Sequence, residues 1–144
     1  MITQNDINFM IAAANLTGFQ VQSNQIQFMT LDAGIDTHVQ LELPNGMQAV
    51  YIFKYEDIYL KVGKAGIFNK ARYRSHHYKH MYANNNLALS LIIDPEIITP
   101  EADFINIWIR ENTTRFNLLI DVNLGVNFLN FMEAFFILKC NPKY

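Results

Sequence analysis

Residues 48–63 read QAVYIFKYEDIYLKVG, and this stretch decides the fold predicted for the chain. Two runs rich in β-branched and aromatic residues flank the segment Tyr55-Glu56-Asp57, a pattern typical of a β-hairpin. A three-residue loop at 55–57 sets Tyr51 opposite Lys61 on one face of the sheet, with Cβ atoms about 5 Å apart. A two-residue loop instead places these two side chains on opposite faces. We expect the three-residue loop.

The pattern on both sides of this hairpin predicts an α+β fold. We expect a helix from Thr3 or Asn5 to Leu16, alternating segments at 19–29 (with a bend at Ser23-Asn24) and 38–43, a helix at 69–82, an apolar run at 87–93, a helix from Thr99 to Asn112, a strand at 115–120 and a helix at 125–139. These elements make a small, mostly antiparallel three-stranded central sheet flanked by helices. Residues 47–144 form the core domain, and residues 1–46 form an N-terminal extension of helix and strands.

Length and composition favour one folded domain in a reducing compartment. The chain has 144 residues, of which 51% are hydrophobic, enough for a real core. The single cysteine, Cys140, permits neither an internal disulfide nor a zinc site built from several cysteines. The start of the chain lacks the pattern of a signal peptide, and no apolar run approaches the roughly 18 residues of a membrane span. We therefore expect a cytoplasmic protein without a membrane partner.

The positive charge of the chain is concentrated in one window. Seven of the 11 Lys and Arg residues lie between Lys54 and Lys79, together with only two acidic residues, although the whole chain carries a net charge of −2. On the predicted helix at 69–82, Arg72 and His76 begin a basic stripe that continues to Lys79. A local basic surface beside tyrosines and histidines favours a phosphate-bearing partner. The overall acidity argues against coating of nucleic acids without specificity.

Single residues in this pattern permit more than one interpretation. Glu133 is the only charged residue between Asp121 and Lys139, so it is either a metal-binding carboxylate or part of a solvated face. Spacing alone favours the solvated face. Lys61 is a phosphate contact, a proton acceptor for water or a lysine that protects an edge strand. Arg72 and His76 act on a phosphodiester or form a solvated helix face.

The order of five short segments resembles the motifs of the GIY-YIG nuclease superfamily. The segments are Ala49-Val50-Tyr51, Lys61-Val62-Gly63, Arg72 followed by His76, Glu133 within residues 129–135, and Asn141-Pro142-Lys143-Tyr144. The resemblance covers roughly residues 47–144. It departs from the family at Ala49, where glycine is usual, at Lys61, where tyrosine is usual, and at Tyr144, after which family members commonly continue to a polar residue. Some restriction-enzyme-like members also carry lysine at the second motif.

This resemblance implies a metal-dependent endonuclease that acts on DNA. It implies that Tyr51 activates the attacking water, helped by Lys61 and His76, while Arg72 binds the phosphate. It also implies that Glu133 holds a single Mg²⁺ (or Mn²⁺), with water completing its coordination.

Further basic residues of the window extend the predicted binding surface. Lys64, Lys70, Arg74 and Lys79 are the candidates for nucleic-acid binding. The expected partner is double-stranded DNA, and a homodimer is compatible with the pattern. Two alternatives remain open: a non-catalytic nucleic-acid-binding module on a nuclease-derived fold, and a structural or partner-binding protein whose basic stripe is only a solvated face.

Overall fold

A computed structural model of the chain describes residues 1–39, 41–81 and 86–144. Its centre is a four-stranded antiparallel sheet. The strands are β1 (Ile26–Leu31), β2 (Met47–Tyr55), β3 (Ile58–Ala65) and β4 (Thr113–Asp121), and they lie in the order β1-β4-β2-β3. The two inner strands, β2 and β4, are covered on both faces, so most of their residues are buried.

Helices cover both faces of this sheet. They are α1 (Gln4–Leu16), α2 (Lys70–Arg74), α3 (Leu87–Ile93), α4 (Ile105–Asn112) and α5 (Gly125–Cys140), with single 3₁₀ turns at Ser23–Gln25, His76–Tyr78, Ala102–Phe104 and Val122–Leu124. Within the described ranges, no helix is long and apolar enough to cross a membrane.

Alternate residues of the inner strands point into two separate hydrophobic cores. Val50 and Ile52 of β2 pack with residues of α1 and α5, including Met10 and Phe136. Tyr51 and the residues two positions before and after it, Ala49 and Phe53, belong to the opposite core, which α2, α3 and α4 cover. The polar residues described below lie on this second face, so α2 to α4 form the roof of the candidate site.

The α+β class is confirmed, but the sheet has one strand more than the three that the sequence predicts. The additional strand is β1, which pairs with β4 from Ile26 opposite Ile120 to Leu31 opposite Arg115. Residues 19–25 are not strand, so the alternating pattern at 19–29 corresponds to a strand only from Ile26 onward. The described part of 38–43 contains no strand either, and Gln40 lies outside the described residues. The division of the chain at residue 46 stays a prediction.

The register predicted for the β2–β3 hairpin is wrong, although its consequence for the site is preserved. The loop has two residues, and Glu56 adopts φ 48° within it. Leu60 is then an additional residue on β3, so that the register shifts and Tyr51 pairs with Gly63. A β-bulge of this kind reverses the change of face that a two-residue loop alone produces. Lys61 therefore lies diagonally from Tyr51 on the same face rather than directly opposite it.

The helix predicted at 69–82 is much shorter. Its α-helical part ends at Arg74, since Ser75 leaves the helical region with φ −133°, and a 3₁₀ turn follows at His76–Tyr78. Arg72 and His76 therefore do not stand one α-helical turn apart, and the basic stripe is wrong in this form. Residues 82–85, at the predicted end of this helix, lie outside the described residues.

Two other helices differ in smaller ways. The helix predicted from Thr99 becomes a 3₁₀ turn followed by α4, which starts at Ile105. On α5, Leu129, Met132 and Phe136 are buried, whereas Val126 in the first turn is 63% exposed.

Candidate functional site

The Tyr51 side chain occupies the centre of the second face and is completely buried. Its ring crosses the neighbouring strand above Gly63. A Cβ atom built on Gly63 would lie 2.6 Å from the Tyr51 hydroxyl oxygen and 2.7 Å from two ring carbons, so only glycine leaves room for this ring. Gly63, the third residue of the second motif, is therefore required by the ring of Tyr51, the third residue of the first motif.

Two side chains from the roof contact the Tyr51 hydroxyl. Arg72 donates a hydrogen bond from Nε at 3.3 Å, and Nε2 of His77 lies 2.6 Å from the same oxygen. The backbone N–H of Leu87 donates to Nδ1 of His77 at 3.4 Å. Because Nδ1 accepts, a neutral His77 carries its proton on Nε2 and donates it to Tyr51. The Tyr51 oxygen thus accepts two hydrogen bonds, and its own proton is available to another acceptor.

Burial and neighbouring cations set the protonation of this group. Burial raises the pKa of Tyr51, while the positive charges of Arg72 and Arg115 act in the opposite direction. Burial, followed by the charges of Lys61 and Arg115, lowers the pKa of His77 well below its usual value. His77 is therefore neutral at physiological pH, which is the state that the hydrogen bond from Leu87 requires.

Lys61 is a buried lysine, only 5% exposed, on the same face as Tyr51. Burial lowers its pKa, and the nearby charge of Arg72 lowers it further. A lysine with a lowered pKa gives up its proton more readily and can then accept one from a neighbouring acid. The burial of Lys61 does not fit the exposed lysine of an edge strand. Its lowered pKa is compatible with the proton acceptor that the sequence suggests.

His77, rather than the predicted His76, is the histidine that contacts Tyr51. His77, not predicted from the sequence, makes the hydrogen bond to Tyr51. His76 packs edge-to-face against the His77 ring, with centroids 5.6 Å apart. The cause is the change from α2 to a 3₁₀ turn after Ser75, which alters the direction of each following side chain.

Strand β4 adds a buried cation that the sequence interpretation also missed. Arg115 is 1% exposed and donates to Asn117 Oδ1 at 2.8 Å, to the Tyr78 hydroxyl at 3.1 Å and to the Tyr73 carbonyl oxygen at 2.7 Å. The guanidinium also lies 5.4 Å from the centre of the Tyr51 ring. Within the described ranges, Arg115 forms no ion pair with a carboxylate. The sequence signal for this buried cation is the pair Arg115 and Asn117, which occupy alternate positions of the predicted strand at 115–120.

A second histidine extends this network toward the chain before β2. The Tyr78 hydroxyl lies 2.8 Å from His38 Nε2, and His38 Nδ1 lies 3.3 Å from the Arg110 carbonyl oxygen. Tyr78 accepts from Arg115, so it donates its own proton to His38. Burial, followed by the charge of Arg115, lowers the pKa of His38 to about 4. The neutral ring of His38 thus connects the segment before β2 to Tyr78 and to α4 in the roof of the site.

Glu133 lies at the edge of this arrangement and is paired with a lysine. Its Oε2 is 2.7 Å from Lys64 Nζ, and the Asn130 Oδ1 is also 2.7 Å from the same nitrogen. The carboxylate is close enough to Tyr51 to raise the pKa of that hydroxyl. Within the described residues, no group of three or more His, Cys, Asp or Glu side chains could hold a metal ion.

The other predicted binding residues surround the site on the α2 side. Lys70 donates to the Asn45 side chain at 2.6 Å, and Arg74 forms an ion pair with Glu42. Lys79 is exposed just after the 3₁₀ turn. The structure therefore places these lysines and Arg74 on the outer side of the roof that carries Arg72 and His77.

The arrangement brings together Tyr51, Lys61 and Arg72, with Glu133 within electrostatic range, and it adds His77, Arg115 and Asn117. No model of a known protein family, no curated protein and no solved structure matches the chain.

Proposed function

We propose that the protein is a metal-dependent endonuclease that hydrolyses phosphodiester bonds in double-stranded DNA. The observation that carries the proposal is the Tyr51 hydroxyl, which receives hydrogen bonds from Arg72 and His77 on the face that also holds Lys61. Phosphodiester hydrolysis needs an activated water and positive charge near the phosphate. This group of residues offers both, in the order of the family that the sequence resembles.

The pKa directions describe the resting site, in which the lowered pKa of Lys61 favours its neutral amine and the raised pKa of Tyr51 keeps its hydroxyl protonated. In the proposed reaction, the neutral Lys61 takes the proton from the Tyr51 hydroxyl. The resulting phenolate is stabilised by the hydrogen bonds from Arg72 and His77. The phenolate then takes a proton from water, whose oxygen attacks phosphorus as the P–O bond to the leaving oxygen breaks. Arg72, the more exposed of the two donors, supplies positive charge to the phosphate.

The predicted Mg²⁺ (or Mn²⁺) site fits the oxygen atoms around Lys64. Lys64 Nζ is a cation held between one carboxylate oxygen of Glu133 and the amide oxygen of Asn130. Mg²⁺ prefers oxygen ligands and keeps several waters, so a single carboxylate with one amide oxygen suits it. Glu133 and Asn130 would hold the ion, which supplies positive charge to the scissile phosphate when bound.

Two observations favour a second candidate, a nucleic-acid-binding module that does not cut. Tyr51 is completely buried, and Glu133 is already paired with Lys64. Cleavage therefore requires that the roof moves to admit water to the Tyr51 hydroxyl and that Lys64 leaves Glu133 when DNA binds. A binding module needs neither movement.

Replacement of Tyr51 by Phe separates the two candidates, because it removes the hydroxyl and keeps the ring that packs on Gly63. We expect plasmid nicking in Mg²⁺ to fall by about 10²–10⁴-fold, as for loss of acid–base help. Duplex binding, measured by fluorescence anisotropy in Ca²⁺, should remain. A wild-type protein that binds duplex DNA in a salt-dependent manner but never nicks it would identify the binding module.

A comparison of the two adjacent histidines tests which of them supports Tyr51. We expect His77→Leu to slow nicking by about 10²-fold or more, because Tyr51 loses one of its two donors. His77→Gln, whose amide can donate to Tyr51, should recover part of the rate. His76→Leu should have the smaller effect. The opposite order of effects would return the predicted role to His76.

A further inference from the structure

The loop between β3 and α2 presents a large apolar side chain to solvent. Phe68 is 93% exposed, and its neighbour Ile67 is 44% exposed. The loop is a hydrogen-bonded turn, since Asn69 N–H donates to the Gly66 carbonyl oxygen at 3.0 Å, and Arg72 N–H donates to the Asn69 carbonyl oxygen at 3.0 Å. These bonds connect the exposed ring to the first turn of α2, which carries Arg72.

One flank of this loop is apolar. Ile67 and Phe68 border a cavity of about 270 Å³ together with Gln48, Gly66, Val122, Val126 and Leu129. Val126 is also largely exposed, so the apolar surface continues from the loop to the first turn of α5. The patch is small, and its most prominent member is the Phe68 ring.

The other flank is positively charged. Lys70 and Arg72 form no ion pair with any carboxylate in the described part of the chain, and Lys70 donates a hydrogen bond to the neutral amide of Asn45. Lys64, at the end of β3, is neutralised by Glu133. The exposed ring thus stands between an apolar floor and cations with the charge that phosphates require.

We propose that Phe68 inserts between bases of the DNA bound at the Tyr51 site and unstacks one base step there. Apolar side chains, Phe among them, act as wedges of this kind in proteins that kink a duplex. Phe68 lies four positions before Arg72, so the wedge is close in the chain to the residue proposed to bind the scissile phosphate. Flexible pyrimidine–purine steps are the preferred place of insertion. This inference rests on the proposed function and specifies how its substrate is held.

Base unstacking can be observed directly with duplexes that carry 2-aminopurine, whose fluorescence rises when it leaves the stack. We expect the wild-type protein in Ca²⁺ to raise this fluorescence at one position near a pyrimidine–purine step. Phe68→Ala should lose the signal and bind the duplex about 5–150-fold more weakly, the range for loss of one base–aromatic contact. The dependence of binding on salt should not change, because no phosphate contact is removed.

Matched variants show whether the effect belongs to this ring. Phe68→Trp keeps a stacking surface and should keep the signal. Phe9→Ala removes another exposed Phe, 68% exposed on α1 against the opposite face, and should behave as the wild type. Circular dichroism should show the same fold for all three variants, since both rings are exposed.

Each contrary result has a distinct meaning. Wild-type binding and nicking without a 2-aminopurine signal, or a Phe68→Ala variant equal to the wild type, would overturn the wedge and leave the nuclease proposal intact. A wild-type protein that does not bind duplex DNA would overturn both. A Phe68→Ala variant that changes only the sedimentation of the protein, with unchanged DNA binding, would assign the ring to contact with a second copy of the chain and overturn the wedge.

Discussion

A Gly63→Ala variant should be destabilised by about 1–3 kcal/mol and should lose most of its cleavage activity, because the new methyl group meets the Tyr51 ring at 2.6–2.7 Å. The ring cannot move aside easily. It packs against His77 with centroids 4.9 Å apart and against Phe53 and Tyr73 at 6.2 and 6.4 Å. Any displacement also breaks the hydrogen bonds from His77 and Arg72, which the proposed mechanism uses. Urea unfolding and plasmid nicking measure the two losses.

Gly66→Ala is the matched control for stability, since a Cβ at Gly66 meets nothing within 4 Å. We expect this variant to change the free energy of unfolding by no more than about 0.5 kcal/mol. In a Tyr51→Ala background the Gly63→Ala change should also become mild, because the ring that it meets has been removed. Equal effects of Gly63→Ala and Gly66→Ala would show that the Tyr51 ring does not lie on Gly63.

The sequence could predict the elements whose pattern depends on burial alone. Strand β4 and helix α5 were predicted almost at their observed bounds, since each is rich in apolar residues and followed by turn residues. The register of the β2–β3 hairpin could not be predicted in the same way. The two-residue loop and the additional residue Leu60 have compensating effects, and neither Glu56 nor Leu60 carries a pattern that marks a bulge.

The roles of individual polar residues depend on what covers them. Arg115 and Asn117 alternate with apolar residues, which in sequence is equally consistent with a strand face in water. They are buried because α2, α3 and α4 cover that face, and the aromatic rings of Tyr51, Tyr73 and Tyr78 accommodate the guanidinium. The contact of His77 likewise depends on where α2 ends, which the helical pattern of residues 69–82 did not show.

Glu133→Gln should abolish Mg²⁺-dependent cleavage while leaving DNA binding largely intact, because Arg72 and the lysines hold the phosphates. The substitution removes a carboxylate that raises the pKa of Tyr51 and keeps the side-chain volume. The ion pair of Glu133 with Lys64 joins side chains that are 22% and 37% exposed, so its loss should lower the free energy of unfolding without metal by about 0–1 kcal/mol. Nicking, anisotropy and thermal unfolding without metal measure the three quantities.

Lys64→Met distinguishes a metal ligand from a partner in an ion pair. Both substitutions break the contact between Lys64 and Glu133, but only Glu133→Gln removes the carboxylate. If Glu133 holds the ion, Lys64→Met should retain cleavage and reach half of its maximal rate at a lower Mg²⁺ concentration, since Lys64 no longer competes for the oxygens of Glu133 and Asn130. If the ion pair serves only the fold, the two variants should lose the same modest stability and both should cut normally. Normal cutting by Glu133→Gln would therefore remove the metal site from the mechanism, whatever Tyr51→Phe shows.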